Sequence, residues 1–177
     1  MTEYVFWIHG VNVQVEYTDP TRGVSIRRRG DLGAEIRQND GTSNWFHFAI
    51  PTPTLLDLEE VLITKAYLRV LPHPGNYIRR VHIRHGGVTS WVHTESAPSA
   101  SEYLYRNDDL DIHWPIDTID HEFDIRPNRQ VTAPVVMCVH VDFQRRSTDR
   151  IYPLIFHGAG ARFSKRAEGI ERLERQK

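Results

Sequence analysis

The sequence predicts an all-β domain, a two-sheet antiparallel β-sandwich or jelly roll, with a short helical tail at the C-terminus. Three observations predict it. Apolar and polar residues alternate with a period of two through most of the chain, as strands with one buried face require. Pro, Gly, Asn and Asp punctuate these runs at short intervals, which divides the chain into eight or nine strands. Helical spacing occurs only after residue 163, where Glu168/Arg172 and Glu171/Arg175 stand four apart.

The elements follow in order. From Trp7 to Tyr17, the positions Val11, Val13, Val15 and Tyr17 alternate with Asn12, Gln14 and Glu16, giving one half-buried strand. Thr18 to Gly23 is a turn begun by Asp19-Pro20 and closed by Gly23, and Val24 and Ile26 open the next strand. Gln38 to Ser43 is loop chemistry. Asn44 to Ile50 follows, with Phe46, Phe48 and Ile50 on one face and Trp45 and His47 on the other; Pro51-Thr52-Pro53 ends it, because proline cannot donate to a ladder.

Val61 to Leu71 sets Leu62, Ala66, Leu68 and Val70 against Lys65 and Arg69. Tyr77 to His85 points Val81 and Ile83 inward and Arg80, His82 and Arg84 outward, and Gly86-Gly87 turns it into Val88–His93. Residues 94–109 are irregular, and 110–126 hold one or two short strands in an acidic context. Ala133 to Gln144 is the clearest strand, with Val135, Met137, Val139, Val141 and Phe143 on one apolar face. Ile151 to Phe163 is the last; its Gly158-Ala159-Gly160 predicts a bulge or a close backbone approach. Residues 1–163 thus form one domain. Residues 164–177 form a polar tail whose only large apolar residues are Ile170 and Leu173, too few to hold a helix without a partner.

Composition excludes several classes. A chain of 177 residues with 40% hydrophobic and 25% charged residues is globular. A formal net charge of -1 gives no electrostatic footprint for nucleic acid, and no apolar run is long enough to cross a membrane as a helix. Cys138 is the one cysteine, so no internal disulfide forms. No signal-peptide pattern opens the chain, and the expected compartment is the cytoplasm.

Three segments carry a resemblance: Trp7-Ile8-His9-Gly10 leading into Val13-Gln14-Val15-Glu16, Asn44 to Pro53 (Asn-Trp-Phe-His-Phe-Ala-Ile-Pro-Thr-Pro), and Ile155 to Phe163 (Ile-Phe-His-Gly-Ala-Gly-Ala-Arg-Phe). Together they resemble an uncharacterised bacterial family carried as a domain of unknown function, over about residues 5–163. The resemblance implies a compact bacterial β-domain. It brings no established activity, so no site residue is carried across.

Candidate chemistry therefore comes from the residues. The ten histidines include His140-Val141-Asp142, a His-x-Asp on one strand which, with His157 as a third ligand, would make a metal-binding facial triad. Against it, the apolar face of that strand holds the odd positions, so His140 and Asp142 point away from the core. His82 and His85 fall on opposite faces and do not share a metal. Seven acidic residues crowd 108–124, but their spacing matches no calcium loop. Trp45, Trp91 and Trp114, beside Arg80 and Arg84, are the aromatics that would stack on a sugar. Cys138 lies mid-strand without an activating neighbour, and phosphate-loop, dinucleotide and serine-nucleophile motifs are absent.

The favoured reading is a non-enzymatic module that binds a ligand or self-assembles into a homo-oligomer through strand edges or charged faces, without a cofactor. One alternative is a metal-dependent enzyme built on His140, Asp142 and His157. The other is a glycan-binding module using Trp45, Trp91 and Trp114.

Overall fold

A computed structural model of the chain describes residues 3–71, 76–86, 92–96, 119–143 and 153–165. It is nearly all-β, with two antiparallel sheets packed face to face, as the alternation predicts. Among the described residues there are twelve strands, two of them only two residues long: β1 Glu3–His9, β2 Gln14–Val15, β3 Ser25–Arg29, β4 Gly33–Arg37, β5 Thr42–Ile50, β6 Leu55–Leu56, β7 Glu59–Leu71, β8 Asn76–His85, β9 Val92–Ser96, β10 Ile119–Gln130, β11 Val135–Phe143 and β12 Leu154–Lys165. No helix among the described residues is long and apolar enough to cross a membrane.

Sheet A runs β10-β7-β12-β4-β3; β1 joins β12 beyond the end of β4, and β6 forms a hairpin with β7. Sheet B runs β2-β5-β11-β8-β9. The core lies between them. Phe156 of sheet A meets Phe46 and Phe48 of sheet B, each at 5.3 Å between ring centres. All three rings are fully buried, and truncating any of them to alanine is the kind of change that costs about 3–5 kcal/mol. All five odd residues of β11, from Val135 to Phe143, are buried, as their alternation requires.

The structure departs from the alternation at identifiable places. The strand expected over Trp7–Tyr17 is two strands in different sheets, divided by a 3-10 turn at Gly10–Asn12. Gly10 lies against β12: a Cβ on it would stand 1.8 Å from the Phe156 carbonyl oxygen, and one on Gly33 would stand 2.0 Å from the same atom. The backbone of β12 therefore passes where side chains have no room. At this point β12 is bulged, slipping register against β7 between Phe156 and Gly158, as the glycine pattern predicted.

In β7 the inward positions are Val61 and Ile63 and then Ala66, Leu68 and Val70; Leu62 is only half-buried. A register shift against β12 near Thr64 switches the face, which the uninterrupted period missed. β4 was not foreseen, since only Ala34 and Ile36 mark its inner face. β8 and β9 pair antiparallel, as a hairpin there requires, but β9 is Val92–Ser96 and not the expected Val88–His93, so it extends into residues read as irregular; residues 87–91 lie outside the described residues. β12 runs two residues past the expected domain end, to Lys165; the helix expected beyond it lies outside the described residues.

Two buried polar groups hold the connections. Asn44 accepts at Oδ1 from the Tyr17 and Trp45 N–H groups (3.0 and 2.9 Å) and donates through Nδ2 to the Tyr17 carbonyl (2.7 Å) and Gln38 Oε1 (2.9 Å). His85, on the inner parity of β8, accepts at Nε2 from the N–H groups of Thr132 and Ala133 (2.9 and 3.0 Å), which fixes it as the neutral, Nδ1-protonated imidazole. Asn44→Ala leaves both Tyr17 backbone groups and Gln38 without this partner. It should cost about 2–3 kcal/mol in a urea melt; a loss below about 0.5 kcal/mol would mean that water replaces Asn44 freely.

Candidate functional site

The outer face of sheet B carries the residues that the sequence singled out. Register places Trp45, His140 and Arg80 in one row, and His47, Cys138 and His82 in the next. Trp45 is half-buried, its ring 4.9 Å from that of His82 and 4.7 Å from that of His140. Both imidazoles are driven below the ordinary histidine value, first by burial; nearby Arg80 and Arg84 add to this at His82, while Asp142 opposes it at His140. Arg80 and Arg84 are exposed. Arg79 Nε pairs with Asp142 (2.6 Å), and His47 Nε2 lies 3.0 Å from Glu16. Cys138 is buried in the second of these rows, and burial pushes its thiol up, away from the reactive thiolate.

The metal triad is not assembled. His140 and Asp142 sit on the outside of sheet B, whereas His157 belongs to sheet A, where its Nδ1 donates to the Leu32 carbonyl (2.7 Å). Among the described residues no three His, Cys, Asp or Glu groups converge. Trp91 and Trp114 lie outside the described residues.

The outer face of sheet A holds a cluster that the sequence reading missed. Trp7 on β1 and Tyr67 on β7 both pair with Gly160 of β12, from opposite sides. Gly160 has no side chain, so the two rings meet over the strand, stacked at 5.6 Å and 26°. A Cβ on Gly160 would come within 2.9 Å of the indole. Arg69 lies over Trp7 (5.4 Å) and Arg162 over Tyr67 (5.6 Å). Lys65 pairs with Glu122 and with Asp124 (3.5 Å), and Arg162 with Glu3 (3.2 Å). Trp7 nevertheless stays 44% exposed, and Val5, next on the same face of β1, is also exposed. Burial raises the Tyr67 hydroxyl above the ordinary phenol value.

The signal was present but misphased. Trp7 shares the odd numbering of Val11, Val13 and Val15, and an unbroken strand would put it on their face. The 3-10 turn resets the phase: Trp7 points out and Val13 in.

A model of the family of unknown function DUF6623 matches residues 1–166. The chain belongs to this family. DUF6623 therefore spans both sheets and both outer faces, wider than the resemblance over residues 5–163. No curated protein matches the chain. Among solved structures it is similar to a family 11 carbohydrate-binding module from Clostridium thermocellum in complex with a β-1,3-1,4-mixed-linked tetrasaccharide, at 9% identity over 90% of this chain and 87% of that chain, with a TM-score of 0.34.

The histidines give a pH prediction. His82, His85 and His140 all have folded values below the ordinary 6.5, so on acidification the unfolded chain takes up protons that the native state refuses. Stability should be full above pH 6.5 and fall as pH drops below it. Melting temperatures measured from pH 8 to pH 5 should show this decline, and it should be shallower in a His82→Gln/His140→Gln double variant. A flat wild-type curve would contradict the assignment.

Proposed function

We propose that this chain is a non-enzymatic binding module whose ligand face is the outer surface of sheet A, centred on Trp7 and Tyr67, and that its ligand is a glycan. The observation that carries this is an indole 44% exposed on a rigid sheet, held by a stacked tyrosine over a strand kept bare by glycine. An exposed apolar patch is more informative than a single exposed residue, and Trp7 and Val5 form one on β1. Part of the ring contact serves the fold, since an aromatic laid across a strand glycine shields its backbone. The glycine strand, Tyr67 and Arg69 cover part of the indole, and the residue still stays 44% exposed.

A pyranose has what such a surface recognises: an apolar face of C–H groups to lie on the ring, and hydroxyls around its edge. Arg69, Arg162, Lys65, Glu3, Glu122 and Asp124 surround the rings with donors and acceptors. The carboxylates Glu3, Glu122 and Asp124 each pair with a cation instead of with one another, an arrangement suited to hydrogen bonding and not to acid–base chemistry. Trp45 is less suited to this role, because His82 and His140 already pack against its ring.

A glycan array probed with the wild-type protein, followed by calorimetric titration of the best hit, tests the reading. Trp7→Ala should weaken binding by roughly tenfold or more, the equivalent of about 1.4 kcal/mol, while Trp45→Ala stays near wild type. Melting temperatures separate lost binding from lost folding. An array without a hit, or a Trp7→Ala variant that binds as the wild type does, would sink it.

A further inference from the structure

The β6–β7 hairpin is built against its own local preference. Leu56 pairs with Glu59, so the turn has two central residues, Asp57 and Leu58, with φ of 51° and 67°. Both lie in the left-handed region, as a type I′ turn demands, and the second position is the one that glycine fills at no steric cost. Leucine there carries a backbone penalty, because its Cβ crowds the neighbouring carbonyl oxygen. Its side chain recovers none of this by packing, because Leu58 is 92% exposed, and Leu55 beside it is 57% exposed. The turn is held in place by Lys165, whose ammonium contacts Asp57 (2.7 Å) and Glu59 (3.5 Å). A strained, pinned turn that thrusts an apolar side chain into water stabilises nothing within the fold, so its use lies outside the fold.

The chemistry around the tip selects its partner. Asp57, Glu59 and Glu60 outnumber Lys165 and leave the hairpin net acidic, which opposes insertion into an anionic lipid surface and favours an apolar spot bordered by cations. The outer face of sheet B offers one. Exposed Ala49, half-buried Val136 and exposed Arg84 share one row, with half-buried Trp45 and exposed Arg80 four residues along their strands, beyond the row of His47, Cys138 and His82.

We infer that the β6–β7 tip of one molecule docks on the outer face of sheet B of a second copy, Leu58 against Ala49 and Val136, its acidic flank against Arg80 and Arg84. Tip and receptor are different surfaces, so the contact is heterologous and builds rings or chains rather than a symmetric pair. It leaves the Trp7–Tyr67 face of each copy uncovered and does not depend on what that face binds.

Sedimentation velocity at low and high protein concentration, in low and high salt, tests this. Wild type should associate as concentration rises, and salt should weaken the association. Leu58→Gly should weaken it by roughly tenfold or more while keeping or raising the melting temperature, because glycine relieves the turn. An Arg80→Glu/Arg84→Glu double variant should also lose self-association. Mixed, the two variants retain one good tip and one good face between them and should form a one-to-one dimer that grows no further. A wild type that stays monomeric at high concentration overturns the inference. So does a Leu58→Gly variant that assembles normally or melts lower, or wild type that floats with phosphatidylcholine vesicles while remaining monomeric without them.

Discussion

The architecture turns on how closely other segments approach β12. This strand is flanked by β7 on one side and by β4 and β1, end to end, on the other. The space where β4 gives way to β1 is filled by backbone alone: Gly10 and Gly33 both press against the carbonyl of Phe156, at separations no Cβ would tolerate. That approach lets the chain leave sheet A at the end of β1 and enter sheet B at β2 within a single 3-10 turn. It also sets Phe156 where it meets Phe46 and Phe48 across the core. Hydrophobic burial supplies most of the driving force for folding, but it does not choose the geometry. Here the choice is made by missing side chains, because close-packed interiors cannot absorb even one extra carbon without rearrangement.

The same device recurs farther along β12 with a different outcome. At Gly160 the bare strand faces outward, and the vacant place is taken by rings reaching in from both neighbours. Two tryptophans of this chain thus meet different fates on comparable strand positions. Trp45 points outward from a sheet whose neighbours at that level are imidazoles, and it is half-covered by them. Trp7 points outward from a sheet whose neighbour is glycine, and its indole remains accessible. Exposure of an aromatic residue depends less on which face it occupies than on what stands beside it in the register.

Much of the fold was legible in the sequence. β5 and β11 keep one phase throughout and β8 keeps it from Arg80 onward, past a bulge at Arg79, and the inner faces read from Phe46, Phe48, Val81, Ile83 and the odd residues of β11 are those that the structure buries. Errors arose where the period slips. One bulge changes the face of β7 near Thr64, and one 3-10 turn changes it between β1 and β2. A shift of one residue turns every later side chain over, and a slip caused by tertiary contact leaves no mark in composition. The candidate site suffered most from this, because an unbroken period puts the outward Trp7 in phase with Val13 and hides it. The β6–β7 tip was invisible for the opposite reason. Asp-Leu is not a turn signal, so nothing local announced a hairpin there, and the strand pairing and backbone angles reveal it.

The position of Cys138 has a practical consequence. The chain's one thiol is buried at the middle of β11, which is itself the middle strand of sheet B, hydrogen-bonded to β5 on one side and β8 on the other. Its side chain faces outward in the row of His47 and His82, so a labelling reagent reaches the sulfur when the side chains covering that row part, and the protein carries a built-in reporter of that motion. Under conditions where reclosing outruns labelling, the rate of modification reports the free energy of uncovering the outer face at the middle strand of sheet B, without a probe being engineered into it.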